Sequence, residues 1–209
     1  MTALLLSGSL YLAQNDAASF AAELFRYEIH PKIVYHVANN YEAKLDVYEP
    51  AAASQPTPVV IVIHGGGWIA GTKEDRVLEM MPYLQMGFAA VNVEYRMAQV
   101  SLAPAAVAWI GSQPNADEIA KLVSPINYVN SNLPPIITIH GDKDTLVPHA
   151  QSVRLHKALD AAGVTNELYT VPGAGHGGFT YEQNQKAWAE VRAFLKKNVK
   201  GLTDTTSTK

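Results

Sequence analysis

Apolar and polar positions along the chain alternate between short strand-like runs and longer amphipathic stretches. Tyr41–Tyr48 (YEAKLDVY) changes character at nearly every step, the period of a half-buried strand, and is predicted as an antiparallel edge strand. Val59–Ile63, behind Pro58, is an unbroken Val/Ile run, as a parallel strand covered on both faces requires. Glu74–Met86 has helical spacing and stops at Gly87, a residue suited to a helix C-terminus. Phe88–Tyr95 reads as the next strand. Asn115–Val123 is helical, and Ile136–Ile139 is a strand behind Pro134-Pro135. Val147–Ala162 puts Leu155, Ala158, Leu159 and Ala162 on one helical face and closes at Gly163. Glu167–Val171 is the last strand, and Tyr181–Asn198 a closing helix that turns Trp188, Val191 and Leu195 inward. Ala51–Pro58 is a short loop. Strands alternating with helices predict an α/β fold with a mostly parallel central sheet flanked by helices.

With 209 residues, one domain is expected, predicted over 23–200 with a flexible tail at 201–209. Thr2–Ala13 is apolar but too short to span a bilayer. Residues 1–22 therefore read as a secretory signal, with Ser19-Phe20-Ala21 as a small-x-small cleavage site, or as an N-terminal helix. No Lys or Arg precedes the apolar run, which tilts the address toward the cytoplasm and leaves export open. A net charge of -3 without a basic block argues against nucleic acid as a partner. The chain has no cysteine, which removes disulfides, a thiol nucleophile and thiolate metal sites.

Three turns at strand ends carry the candidate chemistry. His64-Gly65-Gly66-Gly67-Trp68 follows Val59–Ile63, and its glycines leave backbone N–H groups open to a ligand. Alone, such a turn is more often just tight; the two later turns reverse that balance. They are His140-Gly141-Asp142-Lys143-Asp144, after Ile136–Ile139, and Pro172-Gly173-Ala174-Gly175-His176-Gly177-Gly178, after Glu167–Val171. Open α/β sheets bind ligands beyond the carboxyl ends of their strands, so an acid and a histidine reach the glycine-rich edge. Taken in order, H-G-G-G-W, E-Y-R, S-P-x-N-Y, H-G-D-x-D-x-x-V-P and G-x-G-H-G resemble the α/β-hydrolase esterases. The nearest branch is the hormone-sensitive-lipase-like and acetyl- or feruloyl-esterase-like one, over about Val34–Met97 and Val123–Asn198. The resemblance implies Asp144 as catalytic acid, His176 as general base, and the N–H groups of Gly66 and Gly67 as oxyanion donors. It implies a small carboxylic ester as substrate or ligand and no cofactor.

The family nucleophile sits in G-x-S-x-G, and no such pentapeptide occurs here. Ser7 and Ser9 flank Gly8 far from the late motifs. After Tyr95 the family needs a helix, a strand, the elbow, another helix and another strand. A single βαβ unit takes about 30 residues, and Arg96–Pro135 must also hold Asn115–Val123 and Ser124–Tyr128. An internal deletion near 100–109, with Val100–Trp109 as its seam, is therefore expected. It removes the nucleophile strand and its neighbour and leaves Ser101 and Ser112 as weak nucleophile candidates. Val59–Ile63 and Ile136–Ile139 then re-pair directly, dimerise along the bared edge, or fold poorly. The function expected is that of a serine carboxylesterase left inactive or nearly so, with two alternatives: a non-catalytic binder using the residual pocket or sheet edge, and an active esterase with a recruited serine.

The remaining polar residues take plainer readings. Asp142 is read as a helix cap, His64 and His140 as structural strand-end groups bonding nearby backbone, and Trp68 as a packing residue or pocket wall. His149 and His156 are read as surface helix positions. Their spacing makes no zinc site, so no metal is expected.

Overall fold

The computed structural model describes residues 4–5, 25–38, 40–51, 53, 55–97 and 115–202. The remainder of 1–22, the seam at 100–109 with Ser101, Ser112, and the tail from 203 lie outside the described residues.

Among the described residues there are seven strands: β1 (Leu4–Leu5), β2 (Tyr27–Ala38), β3 (Tyr41–Pro50), β4 (Val59–Ile63), β5 (Ala89–Val93), β6 (Ile136–Gly141) and β7 (Asn166–Val171). The helices are α1 (Val77–Gln85), α2 (Ala116–Val123), α3 (Ala150–Ala161) and α4 (Tyr181–Asn198). One hydrogen-bonded sheet runs β2-β3-β5-β4, the other β1-β6-β7. β4 and β5 pair in parallel around α1, as do β6 and β7 around α3, so both crossovers are βαβ units.

The chain is thus of the α/β-hydrolase type, its described strands falling into two hydrogen-bonded sheets. Two sequence expectations need correcting. Tyr41–Tyr48 is not an edge strand: β2 lies outside it, antiparallel. β2 is broken by register shifts between His30 and Ile33 and between Val34 and His36, which erase a clean period of two. β4 and β6 do not re-pair directly. Instead Leu4–Leu5 lies parallel to β6, Leu4 opposite Ile137 and Leu5 opposite Thr138. Val59 and Ile63 on β4 stay about half exposed.

One apolar cluster holds the two sheets together. Met80, Met81, Tyr83 and Leu84 of α1 meet Ala187, Val191, Phe194 and Leu195 of α4 over Val60, Ala90, Ile137, Ile139 and Val171. The Tyr83 ring packs edge-on against Trp188 at 5.2 Å, joining α1 to α4 directly. Burying the larger of these side chains contributes roughly 1.5–3 kcal/mol each, so helix-to-helix packing ties the two sheets into one core. Among the described residues no helix is long and apolar enough to cross a membrane.

Candidate active site

The glycine turn leaves β4 and is fastened by polar groups on β3 and β5. Gly66 has φ 129 and Gly67 φ 59. Both Ile69 N–H and Ala70 N–H donate to Gly66 O, at 3.1 Å each. A Cβ on Gly66 would fall 1.6 Å from Ala70 O, so only glycine fits. Trp68, with φ 63, is the strained residue of the turn, a conformation rare outside glycine and common at functional sites. The 3₁₀ turn Lys73–Arg76 follows. Lys73 Nζ, almost fully buried, reaches Asp46 Oδ2 on β3 at 2.6 Å and Glu74 Oε1 at 2.5 Å. Its backbone N–H donates to Glu94 Oε2 at 3.0 Å, and its carbonyl accepts from Asn92 Nδ2 at 2.7 Å. Burial lowers the Lys73 ammonium's proton affinity, but Asp46 and Glu74 outweigh it and raise the pKa above 10.5.

The other two turns meet. Asp144 Oδ2 lies 2.9 Å from His176 Nδ1, while Oδ1 accepts from the N–H groups of Leu146 and Val147 at 2.9 and 2.8 Å. The Asp144 side chain is 4% exposed and that of His176 46%. So the acid is enclosed while the imidazole faces solvent, with no acceptor or donor on Nε2 among the described residues. Burial pushes the Asp144 carboxyl up, but the Val147 N–H, His176 and the Leu146 N–H outweigh it and hold it at about 2, below the ordinary 3.8.

Backbone fastens these turns to each other. Lys143 N–H donates to Ala174 O at 2.9 Å and Asp142 N–H to Val171 O at 3.2 Å. Asp142 Oδ1 accepts from Gly173 N–H at 2.7 Å, so this acid ties β6 to β7 and is not the cap of α3. From the far side Gln183 Nε2, in the capping box of α4, donates to Pro172 O at 2.9 Å. Gly141 lets the strands come this close: a Cβ there would sit 2.2 Å from Ala174 O and 2.5 Å from Gly175 O. Gly141→Ala is therefore expected to displace the His176 turn and cost about 1–3 kcal/mol. Denaturant melts will measure the loss, and the low-field Nδ1 proton of His176 will vanish from the NMR spectrum. Retention of that proton at full strength contradicts the fit.

Of the sequence-predicted residues, Asp144 and His176 come together. Gly66 and Gly67 share the carboxyl-edge side of the parallel strands but make no hydrogen bond to the pair among the described residues. Two histidine readings change. His156 is buried, its ring between Asn166 Oδ1 at 2.6 Å and Thr138 Oγ1 at 2.9 Å, and not a surface group. His149 is half-buried beside Thr170 Oγ1, at 2.9 Å. His64 bonds nearby backbone as expected, with Nδ1 2.8 Å from Gly65 O, and is buried and stacked on Tyr95. The sequence reading missed His140, which bonds more than backbone: its Nε2 lies 3.0 Å from Asp144 Oδ2.

Known proteins share parts of this sequence and its fold. The BD-FAE model matches residues 45–110 and the model of the prolyl oligopeptidase family residues 82–202. Esterase LipQ of Mycobacterium tuberculosis is 46% identical over 57 residues, 27% of this chain and 14% of LipQ. A kynurenine formamidase of Danio rerio is 40% identical over 55 residues, 26% of this chain and 19% of that protein. The chain thus matches well under a quarter of these curated relatives' lengths. Among solved structures, Thermogutta terrifontis esterase 2 phosphorylated by paraoxon superposes with a TM-score of 0.65 at 20% identity, covering 87% of this chain and 97% of that one. The solved structures show the α/β-hydrolase fold, and the family match across more than half of its residues makes the assignment: the chain belongs to the prolyl oligopeptidase family.

Proposed function

We propose that this chain is a serine-esterase scaffold that keeps its acid, Asp144, and its base, His176, while lacking a nucleophile elbow, and that it is inactive or nearly so on carboxylic esters. The observation that carries this reading is the enclosed Asp144 carboxylate on the Nδ1 side of an imidazole whose Nε2 has no partner among the described residues, in a sequence with no G-x-S-x-G. In an intact site, Nε2 takes the proton of a serine hydroxyl as it attacks the ester carbonyl, then returns it to the leaving alcohol. Asp144 fixes the tautomer and stabilises the imidazolium. The N–H groups of Gly66 and Gly67 are assigned to the oxyanion, where one donor is worth about 2.7–4 kcal/mol. Without the hydroxyl, only base and donors remain, enough for trace hydrolysis over water.

Two alternatives rest on narrower support. The half-exposed Val59 and Ile63 along β4 favour a non-catalytic role in which an acyl ligand or a second chain covers this edge. Recruitment of Ser101 or Ser112 would make the chain an active esterase. A fluorophosphonate probe separates these readings. No labelling is expected, because no serine is activated by His176. Stoichiometric labelling of one serine, abolished by His176→Ala, overturns the proposal and supports recruitment. Absence of labelling together with saturable binding of a short-chain acyl ligand supports the binder.

A further inference from the structure

We propose that His140 is a positioning residue for the Asp144–His176 pair: a second, neutral donor on the same carboxylate oxygen that holds the acid and tempers its pull on the His176 proton. His140 is the penultimate residue of β6, four residues before Asp144, and its side chain is 11% exposed. Its Nε2 faces two acceptors, Asp144 Oδ2 at 3.0 Å and Val147 O at 2.9 Å. Two acceptors on one nitrogen require the proton there, which assigns the Nε2–H tautomer. In the neutral ring Nδ1 is then an acceptor, and the Ser152 hydroxyl, buried in the first turn of α3, donates to it at 2.6 Å. A continuous run of hydrogen bonds follows, from Ser152 through His140 to Asp144 and on to His176. Oδ2 therefore carries two imidazole donors, while Oδ1 carries two backbone N–H groups.

The consequence has a sign. A donor on a carboxylate withdraws charge from it and weakens its hold on any further proton partner. Removing the His140 donor leaves Asp144 more basic, strengthens its bond to a charged His176, and raises the pH at which that imidazole titrates. A purely structural role for His140 does the opposite: a loosened turn breaks the Asp144–His176 bond and lowers the midpoint. The other titratable groups around this cluster are Asp142 and Lys143 on the same turn and His149 at the start of α3. The His149 ring meets that of His140 edge-on at 5.3 Å. None of these is altered by the test.

This inference rests on the acid–base reading of Asp144 and His176, and NMR titration of the full chain tests the two separately. In His140→Phe the His176 midpoint is expected to rise by about half a pH unit, roughly threefold in proton affinity. His140→Gln, whose amide keeps an N–H donor, is expected to bring it back toward the starting value. Ser152→Ala, which removes the hydroxyl that polarises His140, is expected to shift it the same way by less. Should His140→Phe fail to fold, Ser152→Ala decides by direction alone. A midpoint that stays or falls in these variants overturns the role of His140. A His176 midpoint that ignores Asp144→Asn instead overturns the acid–base pair itself, whatever His140 does.

Discussion

Lys73→Met is expected to destabilise the protein by about 3–5 kcal/mol, the cost of leaving a buried carboxylate without its counterion. Asp46 is 7% exposed, and beyond Lys73 Nζ it keeps the Lys32 N–H, which donates to Oδ1 at 2.8 Å. The methionine stem fills the same space, so the loss reflects charge more than packing. Adding Asp46→Leu to Lys73→Met is expected to recover most of the loss, because a buried pair replaced by apolar groups of similar size is often neutral. Urea unfolding of the unsubstituted protein and the two variants measures both effects as midpoint shifts at a common slope. A single-variant cost below about 1 kcal/mol would show that water reaches the pair. The network matters for the site because Lys73 is bonded through both its backbone groups, to Glu94 and Asn92, immediately after the glycine turn. Loosening it is expected to free the turn that carries Gly66 and Gly67.

The second large effect lies in catalysis. Esterase turnover is commonly about 1–10³ per second, and removal of the nucleophile from a working triad lowers it by about six orders of magnitude. On the function proposed above, with acid and base but no attacking hydroxyl, the chain is therefore expected below about 10⁻³ per second. Triad members act as a unit, so once one is gone the loss of another adds little. His176→Ala is accordingly expected to change the residual rate only slightly, although the same substitution in an intact esterase is ruinous.

Much of this could be read from residues alone, for identifiable reasons. The closing helix Tyr181–Asn198 has the same bounds in sequence and structure. Thr180 and Gln183 cap its start, and its apolar positions repeat at helical spacing. Asp144 and His176 were legible because each sits in a glycine-marked turn straight after a strand, and parallel strands deliver such turns to one edge. The β2 strand was not legible, since its bulges and Lys32 at φ 59 break the alternation that marks a strand. His156 was taken for a surface residue because it lies on an amphipathic helix among polar neighbours. Its burial depends on Asn166 and Thr138, two partners from other elements that satisfy both ring nitrogens. Asp142 misled in the same manner, because its acceptor role toward Gly173 spans 31 positions of chain. The pairing of Leu4–Leu5 with β6 depends on the opening between the two sheets, which local pattern does not describe.

The measurement that bears most directly on the central claim is the steady-state hydrolysis of a nitrophenyl acetate by the full chain, beside its His176→Ala variant. The expected result is a trace rate in both, equal within a few fold. Turnover of about 1 per second or more, abolished by His176→Ala, contradicts the account and shows that a hydroxyl of this chain attacks the ester.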